Sequence, residues 1–264
     1  MQLRAKTLSR RACCMYKCER EGEILALLNE TEYATVEYLA KKMNISPSSI
    51  RRDLKNLEDR GLVSRSYGGV KLTKVNGKHV PFSLRSQENS LEKKQIAKAA
   101  LSLVNAKDVI FLDGSSSAYF MADLLPSVNG LTVITNNIDA MSCFSGYDIK
   151  AYCTGGVISA ENKSVLVGGY TEDFLRKIKA DILIFSVQGI DRDGNFYDCY
   201  AEEVAVRNIM LANARRKILL LDSSKLGEGS TFYQGNLSDI DYIVCDRSLE
   251  GFFDNPMPEK YILA

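Results

Sequence analysis

Apolar residues recur at two different periods along this 264-residue chain, and the change of period divides it. In the first part the spacing is helical. Ile24, Leu25, Leu27 and Leu28 form one apolar group in a helix expected over about 19–29. Val36, Leu39, Ala40 and Met43 form a second group, behind Thr35 as cap. Ile50, Leu54 and Leu57 stand at i, i+4 and i+7 of a third helix, which Ser46 and Pro47 suit as N-cap and first helical residue. Only Asn44-Ile45-Ser46 separates the second helix from the third, the length of the turn in a helix-turn-helix. Beyond Gly61, two apolar-containing runs, 62–67 and 70–72, flank Gly68-Gly69 and predict a hairpin. A hairpin placed there is the wing of a winged helix.

From Asp108 onward the pattern changes to short unbroken apolar runs, at 109–112, 131–134, 181–185, 217–221 and 242–245. Amphipathic stretches near 117–125, 138–144, 170–178 and 201–214 lie between them, and a helix over 91–104 comes before. Strands without polar alternation, separated by helices, predict a mostly parallel sheet covered on both faces. The polar stretch 73–90, with Gly77 and Pro81, reads as a linker. The expected fold class is therefore α/β: a winged helix-turn-helix domain over 19–72, the linker over 73–90, and a mostly parallel α/β domain over 91–264.

The polar side of the third helix carries the first candidate chemistry. Ser48, Arg52 and Lys55 centre it, flanked by Ser49, Arg51 and Asn56. A helix that enters the major groove meets base edges with its first turn and phosphates or guanines with its cations, and this face suits both. Arg65 and Tyr67 on the hairpin complete the DNA-contacting set. Charge agrees: residues 1–80 hold 16 Lys and Arg against 9 Asp and Glu, whereas 81–264 hold 18 against 24. A winged helix used only for protein contacts would leave that cationic face unexplained.

The second candidate lies where ligands gather in parallel sheets, at the carboxyl ends of the strands. Asp113-Gly114-Ser115-Ser116-Ser117, Thr135-Asn136-Asn137, Gly155-Gly156, Gln188-Gly189-Ile190-Asp191 and Asp222-Ser223-Ser224-Lys225 all follow apolar runs. Each alone is an ordinary turn former; five at the same end of successive strands make a pocket. Hydroxyls and free N–H groups at Ser115, Ser116 and Ser117, joined by Lys225, suit an anion, while Asn136 and Asp191 suit sugar hydroxyls. With no Walker-type loop and no GxGxxG, a small phosphorylated compound is expected rather than a nucleotide. Seven cysteines form no disulfide framework, and Cys13, Cys14 and Cys18 with the single His79 do not make a recognised zinc pattern, so no metal and no cofactor are expected. The basic first eighteen residues lack a signal peptide's apolar stretch, and no apolar run reaches membrane-span length, which leads to the expectation of a cytoplasmic protein away from membranes.

The run 46–54, then Leu57-Glu58, Gly61, Arg65 and Gly68-Gly69, resembles the N-terminal signature of the DeoR family of bacterial transcription regulators; Val70 stands where that family usually has alanine. The likeness extends over roughly 19–247. Asp113 to Ser117 stands where the family has an aspartate-x-glycine-threonine-threonine loop, with Ser115 at the glycine and Ser117 at the second threonine. Thr135-Asn136-Asn137 is similar to its threonine-asparagine motif, and Gly155-Gly156 and Gly168-Gly169 to its paired glycines. Glu203 with Val206-Arg207 fits its glutamate-containing helix, and 222–225 its final loop. The resemblance implies a sensor domain with a fold like ribose-5-phosphate isomerase and a phosphorylated sugar as effector, touching Asp113, Ser115 to Ser117, Asn136, Asn137, Gly155, Gly156, Gly189, Asp191, Glu203 and Lys225. The expected protein is a transcription regulator, a repressor of carbohydrate-metabolism genes and not an enzyme. Its expected partners are a double-stranded DNA operator, a phosphorylated sugar and further copies of itself, since paired half-sites need paired modules. The competing reading is a sugar-phosphate isomerase with an appended DNA-binding module, in which Asp113, Asp191, Glu203 and Lys225 would shuttle protons.

Overall fold

The computed structural model describes residues 20–21, 23–25, 27–28, 31, 33–59, 62–66, 69–72, 82–254 and 261–264. Tyr67, His79, Cys13, Cys14 and Cys18 lie outside them. The chain divides into two units, Met1–Gln87 and Glu88–Ala264.

In the first unit the described residues between 20 and 31 are helical, and helices Val36–Met43 and Pro47–Asp59 follow. The capping chemistry does what the sequence asks of it. Thr35 Oγ1 accepts from the N–H of Tyr38 at 3.1 Å, and Asn44 closes the first of these helices in the left-handed region at φ 54°. Ser46 Oγ accepts from the N–H of Ser49 at 3.3 Å and starts the next. Ile24, Leu25, Leu28, Leu39, Ile50, Leu54 and Leu57 meet in one core. Burying each such side chain is worth about 1.5–3 kcal/mol. Strands β1 (Val63–Ser66) and β2 (Gly69–Leu72) pair antiparallel, and Ala34 bridges Val70 on the far side of β2. Gly69 permits that bridge, because a Cβ there would fall 2.3 Å from the Tyr33 ring and 2.7 Å from the Ala34 carbonyl. A short helix, Phe82–Arg85, stands inside the stretch expected to be linker and sends Leu84 into this same core.

The second unit is built on seven parallel strands: β3 (Val109–Leu112), β4 (Thr132–Thr135), β5 (Lys150–Cys153), β8 (Ala180–Phe185), β11 (Ala214–Leu221), β13 (Tyr242–Cys245) and β14 (Tyr261–Leu263). Their order is β14-β13-β11-β8-β3-β4-β5. Alternate residues fill the two faces. Phe111, Leu183, Phe185, Leu219 and Ile243 pack on one side with Val206 and Met210 of the helix Ala201–Asn213. Ile110, Leu112, Ile182, Ile184, Ile218 and Val244 pack on the other with Ile96, Ala97 and Ala100 of the helix Ser90–Ala100. Both faces being apolar is why these strands read as unbroken runs. The chain starts at β3, moves outward through β4 to β5, then returns to β8 and runs out the other way, so the order reverses between β3 and β8.

Two features depart from the periodicity. The helix expected near 117–125 is a single turn, Ser116–Tyr119, followed by turns and a 3-10 segment at Leu125–Ser127. Pro126 takes an early position of the 3-10 segment, where its missing N–H costs no helical bond; Met121, Ala122 and Leu125 remain buried. A separate antiparallel sheet also forms from β9 (Gly189–Ile190), β10 (Asn195–Asp198) and β12 (Phe232–Asn236), with a small hairpin β6 (Val157–Ile158) and β7 (Leu166–Val167) beside it in sequence. Among the described residues no helix is long and apolar enough to cross a membrane.

Candidate functional site

The helix Pro47–Asp59 buries Ile50, Asp53, Leu54 and Leu57 and exposes Ser48, Arg51, Arg52 and Lys55, with Ser49 half-buried. The first turn is a hydroxyl cluster: Ser46 Oγ lies 3.0 Å from Ser48 Oγ and donates to Ser49 Oγ at 3.0 Å. Arg51 leans toward Glu37 at 3.5 Å and Arg65 toward Glu58 at 3.8 Å, both exposed pairs of little stabilising value. No ion pair is recorded for Arg52 or Lys55, which leaves the middle of the exposed face its two uncommitted cations among the described residues. The buried residue the sequence pattern did not single out is Asp53. It is 1% exposed and accepts two hydrogen bonds from the Arg20 guanidinium, at 2.9 and 3.1 Å, which clamps this helix to the first one.

In the second unit the loop after β3 is organised by Asp113. One of its oxygens accepts from the N–H and the hydroxyl of Ser115, at 3.0 and 2.5 Å; the other accepts from Arg207 Nε at 2.8 Å. Arg207 also donates from Nη1 to Asp198 and to Gln234, each at 2.6 Å. Burial works against the charge of Arg207, but Asp198 and Asp113 outweigh it and hold the guanidinium firmly protonated. Arg207, Asp198 and Gln234 thus anchor the loop after β3; the sequence named Arg207 only as part of the glutamate-containing helix, and Asp198 and Gln234 not at all. The Ser115 side chain, standing at the family's glycine, turns back to Asp113 and caps the N–H of Ala118 at 3.2 Å, so it tightens the loop from within.

Lys225 sits at the reversal between β3 and β8. Its Nζ donates to Ser117 Oγ at 3.2 Å and to Ser186 Oγ at 2.7 Å, and pairs with Asp222 at 3.2 Å. Burial pushes the Asp222 carboxyl up, yet Lys225, then Ser224 and Lys93, hold it well below the usual carboxylate range. Ser116 and Ser117 open a helical turn, so their N–H groups have no intrahelical acceptor. Asn136 donates to the Leu166 carbonyl at 3.0 Å, while its Oδ1 is buried and without a partner. Asn137 caps the next helix, accepting from the N–H of Ala140 at 2.9 Å, and reaches the Gly114 carbonyl at 3.4 Å.

The remaining candidates have roles within the fold that the structure shows directly. Gly155 and Gly156 have φ of 71° and 114°, and a Cβ on Gly156 would fall 2.1 Å from Thr171 Oγ1. Gly189 admits the backbone of Glu228, which a Cβ would meet at 2.3 Å. Asp191, expected to face sugar hydroxyls, closes the β9–β10 turn, accepting from the Asn195 N–H at 2.8 Å and the Tyr197 hydroxyl at 2.9 Å. Those bonds overcome burial and lower its pKa. Glu203 is buried and accepts from Asn162 at 2.9 Å. Asp113 is likewise engaged within the fold, by its bonds to Ser115 and Arg207. Ser186 is the opposite case, a hydroxyl against Lys225 Nζ that the apolar run ending at Phe185 did not reveal.

A model of the DeoR-like helix-turn-helix domain matches residues 20–75, and one of the DeoR C terminal sensor domain matches 88–247. The L-fucose operon activator of Haemophilus influenzae is 35% identical, over 87% of this chain and 92% of its own. The glycerol-3-phosphate regulon repressor of Escherichia coli is 27% identical, over 88% and 92%. Among solved structures, a D-ribose-5-phosphate isomerase in complex with phospho-erythronic acid aligns over 50% of this chain and 52% of that one, with 18% identity and a TM-score of 0.38.

Proposed function

The chain belongs to the DeoR family of transcription regulators, and on that footing we propose that it represses carbohydrate-metabolism genes and is released or retained by a phosphorylated sugar bound in its second unit. Lys225 carries the reading. A largely buried ammonium held by two neutral hydroxyls and one carboxylate, at the strand reversal of a parallel sheet, is an anion site. The N–H groups of Ser116 and Ser117 add donors for phosphate oxygens. The buried Oδ1 of Asn136 needs a donor, which a sugar hydroxyl has and a phosphate dianion lacks. Of the compounds named for the two relatives, glycerol-3-phosphate carries a phosphate on a polyol and L-fucose is a sugar without one, so only the first speaks for the anion site.

In this reading 19–72 is the DNA-reading module, 73–90 its link, and 91–264 the effector domain. Arg52 and Lys55 face the operator, and two or more copies pair on its half-sites in the cytoplasm. The isomerase alternative finds little support, because Asp113, Asp191 and Glu203 are tied to Arg207, Asn195 and Asn162 and are poorly placed to move a substrate proton. Calorimetry with sugar phosphates and the matching free sugars, beside mobility shifts on operator DNA, tests the proposal. Charged hydrogen bonds are worth about 1.5–3 kcal/mol each, so free sugars should bind at least about tenfold more weakly. Equal binding of both, or DNA affinity that no sugar phosphate alters, would sink it.

A further inference from the structure

We infer that Asn89 is a positioning residue for the effector response, tying the segment that enters the second unit to the loop that holds Lys225. The inference rests on reading Lys225 as the effector's cation. Asn89 is the second residue of the Glu88–Ala264 unit. It occupies the N-cap position of the helix Ser90–Ala100 but makes no capping bond there. An asparagine N-cap ordinarily gives its side chain to its own helix. Here the side chain is diverted: Nδ2 donates to Asp222 Oδ1 at 3.2 Å and to Ser224 Oγ at 3.0 Å. The backbone bends to allow it, with φ at 52° in the left-handed region, which asparagine tolerates better than most residues. Lys93 pins the other side of the same turn. It is buried and donates to the Glu88 carbonyl at 2.7 Å, and its charge reaches Asp222.

Asp222 therefore serves two masters. Its Oδ1 faces Asn89 and Ser224, and its Oδ2 faces Lys225 at 3.2 Å. An anion arriving at Lys225 competes with Oδ2 for the ammonium. The carboxylate then redistributes toward Asn89, Ser224 and Lys93, and the change is felt in residues 88–93, the stretch through which the DNA-binding unit is attached. No contact between the units is needed, because the chain itself carries the signal. Coupling of this kind is reciprocal and typically spans about 5–150-fold in affinity.

The test uses the full chain and hydrogen exchange at residues 88–93. Lys225→Met removes the ammonium from Asp222 without any effector. In otherwise wild-type protein it should change exchange at 88–93 severalfold. In Asn89→Gly, which keeps the left-handed backbone but lacks the amide, Lys225→Met should leave 88–93 unmoved. If Lys225→Met alters 88–93 equally with and without the Asn89 side chain, or never alters it, the inference is overturned. A second arm adds glucose 6-phosphate, fructose 1-phosphate, fructose 6-phosphate and glycerol 3-phosphate, reading compound binding and DNA affinity separately. Asn89→Gly should bind a given compound within about threefold of wild type and yet lose most of its effect on DNA affinity. An Asn89→Gly protein that responds like wild type, or that no longer binds a compound wild type binds, also overturns it. Should none of the compounds bind wild type while the exchange coupling holds, the sugar-phosphate reading fails and the role of Asn89 in the loop stands.

Discussion

Replacing Arg207 by methionine should destabilise the second unit more than any other single change at the site. Methionine is apolar and nearly as long as arginine, so it fills much of the space and leaves the electrostatics as the main difference. Arg207 makes three bonds, at 2.8 Å to Asp113 and 2.6 Å to both Asp198 and Gln234. Asp113 and Asp198 are 2% and 5% exposed and would lose the guanidinium while keeping only bonds such as those from Ser115 and the Cys199 N–H. Charged hydrogen bonds at about 1.5–3 kcal/mol apiece give a gross loss larger than removal of one partner from a buried ion pair usually shows, about 3–5 kcal/mol, because the carboxylates relax or take up protons. Against a usual stability of about 5–15 kcal/mol, that is a large share. For a domain of this size each kcal/mol moves Tm by about 2–4 °C, so the unfolding transition of the second unit should fall by about 6–20 °C. Scanning calorimetry of the full chain measures it, with helix content at 25 °C as a check that the variant folds. Asp198→Asn added to Arg207→Met should recover part of the loss by removing one of the two carboxylate charges. A fall below about 2 °C, or no recovery in the double variant, would refute the view that Arg207 neutralises Asp113 and Asp198.

Arg52→Ala and Lys55→Ala should each weaken operator binding in a mobility shift, with the salt slope reduced by about one unit where the lost contact is a phosphate. Unchanged affinity in both would remove the helix Pro47–Asp59 from the DNA interface. Asp222 should show itself in the acid limb of the stability curve: its folded carboxyl is held below the ordinary value, so the unfolded chain takes the proton first as pH falls. The stability it gives is complete above about pH 4 and is lost below, and Asp222→Asn should flatten denaturant-measured stability in that window. Gly156→Ala should cost more than about 1 kcal/mol in a urea titration, since φ is 114° and the new Cβ would lie 2.1 Å from Thr171 Oγ1.

Elements whose information is local were legible along the chain. Ser46, Pro47 and the Ile50, Leu54, Leu57 stripe specify a helix within one segment, and the same turns that bury those residues put Arg52 and Lys55 outside. Likewise Val109–Leu112 and Lys217–Leu221 are apolar on both faces, and only a doubly covered sheet accepts such strands. Turn chemistry after each strand put Ser115 to Ser117, Asn136 and Lys225 just past strand ends for the same reason. Three-dimensional structure decided what each polar residue does there. Asp113 meets Arg207 across 94 residues, Asn89 meets Asp222 across 133, and Asp53 meets Arg20 across 33. Nothing in the neighbourhood of any of these marks its partner, because a carboxylate and a cation attract at any sequence distance once the fold brings them together. The β9, β10 and β12 sheet escaped for a related reason: its strands are two to five residues long, interrupted by Gly189, Asn195, Gln234 and Gly235, and become strands only by pairing with each other. Periodicity reports which side of an element is buried; pairing between distant polar groups is settled only when the core has closed around them.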